Sequence, residues 1–256
     1  GQMRKVVIIG IVLLTVVMLT LLTASWLATD PETEEDAPRE TAASTDATAS
    51  PQPEETETPT PTPSMLAFDR TDWRLRLVNA DNELPADFAV ETAEVEGYLF
   101  DARAADALQS MLDGGRADGV DLIITSAYRT YDYQQGLFQN KVQRVMAEQG
   151  VSQTEAEPIA AMSVARPGTS EHCLGLAVDI ITSSYTTLDS GFAETDAAKW
   201  LYEHCAEYGF ILRYPEDKTD VTGIIYEPWH FRYVGVEAAE YIMENGLTLE
   251  EFLGEA

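Results

Sequence analysis

Two short stretches of this chain concentrate the residue types that bind metals and move protons. Ser170-Glu171-His172-Cys173-Leu174-Gly175-Leu176-Ala177-Val178-Asp179 holds a histidine and an aspartate, and Glu227-Pro228-Trp229-His230 holds a second histidine. The chain has only 3 histidines, so two of them in these patches is a concentration to explain. Two imidazoles and one carboxylate, His172, Asp179 and His230, make a three-ligand zinc set with a fourth position left for water. Catalytic zinc needs that arrangement, whereas a structural site wants four ligands, usually with thiolates. Hydrolysis of an amide also needs a group that takes and returns a proton, and Glu227, three residues before His230, is the natural candidate. Attack on a carbonyl builds negative charge on oxygen, which a fixed cation stabilises. Arg129, in Ser126-Ala127-Tyr128-Arg129-Thr130, directly follows a predicted buried strand and is the best-placed cation. Ligand type alone leaves other divalent metals open at a His-His-Asp site.

The elements around these residues follow from periodicity. Residues 72–79 alternate and read as a strand; residues 101–112 carry apolar positions at helical spacing, closed by Gly114-Gly115. A compact β-rich run covers 120–125, a helix 133–149 ends at Gly150, and another begins in 156–164. Residues 176–181 form a short apolar strand and 197–208 a helix closed by Gly209. Residues 210–213 and 229–234 supply further strands, and 236–245 and 248–253 close the chain as helices. Without a regular β-α-β alternation the pattern favours an α+β fold. His172 and Asp179 are an odd number of residues apart, so a straight strand would send them to opposite faces. Gly175 between them can bend the chain and let both converge.

Three motifs in order, Ser126-Ala127-Tyr128-Arg129-Thr130-Tyr131 with Gln134, Ser170-x-His172-x-x-Gly175-x-Ala177-x-Asp179, and Glu227-x-Trp229-His230, resemble the VanY-type D-alanyl-D-alanine carboxypeptidases. The resemblance extends to Leu77-Val78-Asn79 and to Gly209-Phe210-Ile211-Leu212-Arg213-Tyr214-Pro215. It implies zinc on His172, Asp179 and His230, Glu227 as general base and acid, and Arg129 at the oxyanion. It also implies a small antiparallel sheet flanked by helices, with the zinc site on the sheet. The substrate it implies is a peptidoglycan stem peptide ending in D-Ala, acted on by a monomer. Ser126, Tyr128, Gln134, Ser170 and Trp229 are the candidates for touching that peptide. An L,D-carboxypeptidase or an endopeptidase on cross-links would share the machinery. A non-catalytic wall-binding module of the same fold would show a lost ligand or a lost Glu227, and none is lost.

Simpler readings compete for single residues. A lone histidine is more often a packed or surface residue than a ligand, and the constellation reverses that for His172 and His230. His204, in a predicted helix without ligand spacing, reads as surface or packing. Trp229 and Tyr131 read first as core or pocket wall.

Arg4 and Lys5 precede an uncharged, Val/Ile/Leu-rich run over residues 6–29, long enough as a helix to cross a bilayer core of about 30 Å. Positive charge before it and acids after it orient the rest of the chain outside the membrane. A cleaved signal peptide is the alternative for 1–29, and Leu22-Thr23-Ala24 suits cleavage poorly. Residues 30–64, rich in Thr, Pro and Glu, read as a disordered stalk, and 65–256 as the zinc carboxypeptidase domain. The formal net charge of -28 disfavours nucleic acid as a partner. In an exported domain the only two cysteines, Cys173 and Cys205, are a candidate disulfide.

Overall fold

A computed structural model describes residues 68–256. The expected membrane helix and stalk lie outside the described residues. Among the described residues no helix is long and apolar enough to cross a membrane.

The fold is α+β, with two small antiparallel sheets flanked by helices. Strands β1 (Thr92–Val95) and β2 (Tyr98–Asp101) form a hairpin, and β3 (Ile123–Ser126), β4 (Ala177–Ile181), β5 (Phe210–Leu212) and β6 (His230–Tyr233) form a sheet ordered β3-β4-β6-β5. Every pairing in the larger sheet is antiparallel. All five residues of β4 are buried, which suits its near-continuous apolar sequence and its central place. The register matters most: Asp179 pairs with Ser126 on one side and with His230 on the other. A row of candidate residues therefore crosses three neighbouring strands.

Helix α1 (Ala105–Ala117) continues through Gly114 and Gly115, which the sequence reading had placed at its end. A Cβ on Gly114 would come within 2.1 Å of the Tyr208 hydroxyl, and one on Gly115 within 2.4 Å of Leu122. The glycines let this helix approach its neighbours. Helix α2 (Tyr131–Gln149) starts on Thr130, whose side chain accepts from the Tyr133 N–H, and stops at Gly150 in the left-handed region. It packs on α3 (Gln153–Ala161), itself started by a reciprocal Ser152–Glu155 cap, with Phe138, Val142, Val145, Ala156 and Ala160 between them. After the short turn α4 (Glu171–Leu174) come α5 (Asp196–His204), α6 (Thr219–Thr222), α7 (Val236–Glu244) and α8 (Leu249–Leu253).

Two further readings change. Residues 72–79 are not a strand: Asp72 caps a 3₁₀ turn over Trp73–Leu75, and the backbone carbonyls of Arg74 and Arg76 accept from the Arg232 guanidinium instead of from a neighbouring strand. Cys173 and Cys205 are both free and buried, packed as small apolar residues in the main core. Burial pushes their thiols up to about 11 and about 12, which leaves them unreactive near neutral pH.

Candidate metal centre and active site

His172 is not on a strand. It sits in α4, and Gly175, with φ of 83°, reverses the chain into β4, so that His172 and Asp179 converge although an odd number of residues separates them. The reversal is tight, since a Cβ on Gly175 would lie 3.1 Å from the Val90 side chain, and the Gly175 carbonyl accepts from the Asp101 N–H. The loop leaving β3 clamps the turn. The Arg129 N–H donates to the His172 carbonyl at 3.1 Å, and the His172 Nδ1 lies 2.7 Å from the Ala127 carbonyl. That contact makes Nδ1 the protonated nitrogen and turns the Nε2 lone pair inward.

His172, Asp179 and His230 are all buried, and one ligand atom from each lies within 4.8 Å of the others. Asp179 stands between the imidazoles, with Oδ2 3.2 Å from His172 Nε2 and Oδ1 3.0 Å from His230 Nδ1. Three converging donors of this kind, buried and without a fourth protein ligand among the described residues, fit one divalent ion with an open position. The Glu227 carboxylate lies 3.7 Å from His230 Nδ1, beyond hydrogen-bond length, and no protein group among the described residues bonds to it. The backbone turn that carries it is fixed: the Glu227 N–H donates to the Tyr214 carbonyl, and the His230 N–H to the Glu227 carbonyl.

Arg129 is tied at three points. Its Nε donates to Ser126 Oγ at 2.9 Å, one terminal nitrogen to Gln134 Oε1 at 3.2 Å, and the other to Asp179 Oδ2 at 2.9 Å. Gln134, wholly buried, is held in turn by the Ala165 carbonyl.

Charge in so dry a place moves every pKa. Burial and the Arg129 cation push His172 down to about 4. Burial works against protonation of His230 too, but the hydrogen bond to Asp179 and the nearby Glu171 carboxylate outweigh it and raise His230 to about 9. Burial would raise the Asp179 carboxyl, yet the two imidazoles hold it well below the usual carboxylate range. Glu227 is pushed up to about 8 by burial, which the His230 and Arg129 charges offset only in part. A dication among these groups favours the deprotonated form of each.

The centre opens on a cleft of about 660 Å³ whose walls include Ser170, Gln134 and Trp229. Ser126 and Tyr128 are not among its walls: Ser126 stands behind Arg129, and the Tyr128 N–H is spent on the Leu99 carbonyl of the hairpin. Tyr214, not singled out for a role from sequence, lines the cleft with its ring centroid 4.8 Å from that of His230. Glu171 was also passed over, although it directly precedes a ligand candidate in a helical turn. His204 lies away from the centre on the surface, paired with Glu207 at 2.8 Å.

An α+β fold whose sheet and adjoining helical turn present two histidines and an aspartate to a cleft, beside a free carboxyl and an anchored arginine, defines a metal-dependent hydrolase of the peptidase kind. The chain belongs to the VanY family, D-alanyl-D-alanine carboxypeptidases, whose pattern matches residues 98–236. It is 44% identical over 186 residues to a D-alanyl-D-alanine carboxypeptidase of Enterococcus faecalis, covering 72% of this chain and 67% of the relative. The solved structure of VanYB in complex with D-alanine-D-alanine superposes with a TM-score of 0.65 at 44% identity, over 72% of this chain and 98% of the other. A VanY variant from a VanB-type resistance cassette, solved with Zn(II), gives a TM-score of 0.64 at 44% identity, over 71% and 99%.

Proposed function

We propose that this chain is a zinc-dependent D-alanyl-D-alanine carboxypeptidase that removes the terminal D-alanine from peptidoglycan stem peptides. The observation that carries this is the convergence of His172, Asp179 and His230 beside the unbonded Glu227 carboxyl at the head of a cleft. His172, Asp179 and His230 would hold the ion, which when bound supplies Lewis acidity toward a water and the scissile carbonyl. Glu227 takes the proton released as water adds to the carbonyl carbon. It returns that proton to the amine of the departing D-alanine as the C–N bond breaks. A carboxyl raised by burial is a stronger base than an ordinary one, so it takes the proton from water more readily and near neutral pH holds it until the departing amine accepts it. Arg129 contributes fixed positive charge, held by Ser126, Gln134 and Asp179 before substrate arrives, to the oxygen on which negative charge grows. Ser170 and Trp229 are the cleft walls that contact the peptide, while Gln134, wholly buried, acts by holding Arg129.

Location follows from the amino-terminal sequence. Arg4 and Lys5 before the apolar run support a single-pass anchor over 1–29, with 30–64 as the stalk and the enzyme outside the cytoplasm. A monomer is the expected state. Fractionation of cells and protease treatment of their surface test the first part, and sizing in solution tests the second.

The catalytic test is product analysis by mass spectrometry. The full chain is incubated with pentapeptide and tetrapeptide stems, with zinc or chelator, beside Glu227→Ala. Loss of one alanine from the pentapeptide alone, abolished by chelator and in Glu227→Ala, is the expected result. Loss from the tetrapeptide would move the enzyme to the L,D class. Turnover of neither stem would sink the carboxypeptidase reading.

A further inference from the structure

Among the described residues only two buried side-chain polar atoms have no hydrogen-bond partner: Glu171 Oε2 and His230 Nε2. They face each other at 3.8 Å. The other nitrogen of His230, Nδ1, is the one that lies with Asp179 and Glu227, so Nδ1 must be the ligand atom. A neutral ligating imidazole carries a single proton, which is then on Nε2 and points at Glu171. Glu171 can take it. Its Oε1 is occupied by Arg213 Nε at 2.8 Å and by Arg232 Nη1 at 2.7 Å, both arginines with no exposed surface, and its Oε2 is left for nothing else. Arg213 is balanced on its far side by Glu250, which accepts from both terminal nitrogens at 2.8 and 2.6 Å. We infer that Glu171 is a positioning residue of the metal centre, accepting the Nε2–H of His230 and so fixing that ring with its Nδ1 lone pair toward the ion. The two histidines would then bind through opposite nitrogens. His172 is set by a backbone carbonyl and His230 by a buried carboxylate. The inference rests on the metal-centre reading, and its test reads metal binding instead of turnover.

In Glu171→Gln the single acceptor oxygen stays with the two arginines and the amide NH₂ faces His230. A donor there selects the tautomer with the proton on Nδ1, the nitrogen that must ligate. Zinc affinity, measured by competition with a chromophoric chelator on the full chain, is expected to fall about 10- to 100-fold. Glu250→Gln is the control, because it also leaves a buried arginine under-neutralised and lowers the melting temperature but does not touch His230. Its zinc affinity should stay within about twofold of the parent, inside the range a remote change produces. Unchanged affinity in Glu171→Gln, or an equal loss in Glu250→Gln, would overturn the assignment. Should Glu171→Gln fail to fold, ¹⁵N imidazole spectra of the zinc-loaded parent decide: a protonated Nε2 on His230 supports it, and a protonated Nδ1 overturns it.

A different observation concerns the far end of the cleft. Its wall along α2 includes Gln134, Leu137, Lys141 and Arg144, at the i, i+3, i+7, i+10 spacing of one helix face, with Asn140 beside them. Neither Lys141 nor Arg144 has an acidic side chain within 4.0 Å among the described residues, in a chain where acids far outnumber bases. From Gln134 to Arg144 the helix rises about 15 Å, the reach of roughly four extended residues. A carboxypeptidase leaves one residue on the departing side, so the length of this groove serves the acyl side. We propose that Lys141 and Arg144 bind a carboxylate on the stem peptide upstream of the scissile bond, a specificity contact that rests on the carboxypeptidase reading. The test compares pentapeptide stems bearing a free carboxylate or a carboxamide at their second residue. In Lys141→Glu/Arg144→Glu the KM for the carboxylate form should rise about tenfold with kcat unchanged, and the carboxamide form should be unaffected. Equal change with both substrates, or with neither, would overturn the subsite. Failure of the parent to cleave either would instead count against the carboxypeptidase reading.

Discussion

Two buried clusters of charge lie side by side in this molecule, and they are built on different rules. In the Glu171–Arg213–Arg232–Glu250 cluster each acid is matched by an arginine, and hydrogen bonds of 2.6 to 2.8 Å join them. The Arg232 guanidinium spends its remaining donors on the carbonyls of Arg74, Arg76 and Tyr233. Glu171 is held well below the usual carboxylate range: burial would raise it, and the two arginines more than reverse that. In the neighbouring centre, His172, Asp179, His230 and Glu227 crowd together with one imidazole pushed down, the other up, and a carboxyl raised to about 8. The first cluster is closed by its own ion pairs except at Glu171 Oε2, which faces His230. The second is arranged for groups the protein does not supply, an ion and a proton in transit, which is how a catalytic site differs from a structural one at equal burial.

The sharpest way to separate the two is Glu227→Gln. Loss of the acid–base group should lower kcat about 10²- to 10⁴-fold, with zinc affinity retained because Glu227 is not a ligand candidate. The melting temperature of the metal-free protein should hold or rise, since a buried carboxyl without a partner is removed. Kinetics and melting curves on the same preparation check both. A variant that lost stability but kept turnover would reverse the roles assigned to the two clusters.

Arg213→Met should do the opposite. It leaves Glu171 and Glu250 buried with too little positive charge, a change that costs about 3–5 kcal/mol when one partner of a buried pair is removed. Urea unfolding reads it directly. A loss under about 1 kcal/mol would mean that water or relaxation compensates the acids, and the cluster would no longer count as closed.

What was legible in the sequence follows the same division. The ligand candidates and Glu227 could be read because histidine is scarce in this chain and the motifs are local. The closed cluster could not, because Glu171, Arg213, Arg232 and Glu250 come from four elements and look like ordinary surface charges until the fold brings them together. The β1–β2 hairpin was missed for a related reason. Its turn is Glu96-Gly97, both at positive φ, where Asn-Gly would have been the recognisable signal. The alternation of residues 72–79 was real but misleading, since those carbonyls bond to Arg232 instead of to a strand. Gly114-Gly115 looked like a helix stop because the packing of Tyr208 and Leu122 against them cannot be seen one residue at a time.

The pH dependence of the metal-free protein sharpens the comparison further. Glu227, raised from 4.5 to about 8, holds a proton in the folded state that the unfolded chain has released, so its contribution is lost as pH climbs through 4.5 to 8. His230, raised from 6.5 to about 9, behaves alike between those values. His172, lowered to about 4, acts the other way, but only below 6.5. Between pH 6.5 and 8 the first two therefore act together, and chelator-treated protein should lose stability as pH rises, while zinc affinity climbs because the same protons leave. Melting temperatures that rose across that window would contradict the protonation states assigned to the centre.

The smallest effect is expected at the surface, where Arg116 meets Glu96 through two contacts, at 2.5 and 2.7 Å, with 43% and 29% of the side chains exposed. Its two-point contact resembles that of Arg213 with Glu250, but it is exposed where the other is buried. In a double-mutant cycle built from Arg116→Ala and Glu96→Asn, the coupling energy should be under about 1 kcal/mol, because solvent screens an exposed pair. Asparagine is the suitable replacement because residue 96 has φ of 51°, a conformation it tolerates better than alanine. The cycle cancels whatever strain that change relieves, so the pair term is read cleanly from denaturant melts. A coupling as large as the expected cost of Arg213→Met would show that bidentate geometry, and not the absence of water, sets the strength of these pairs.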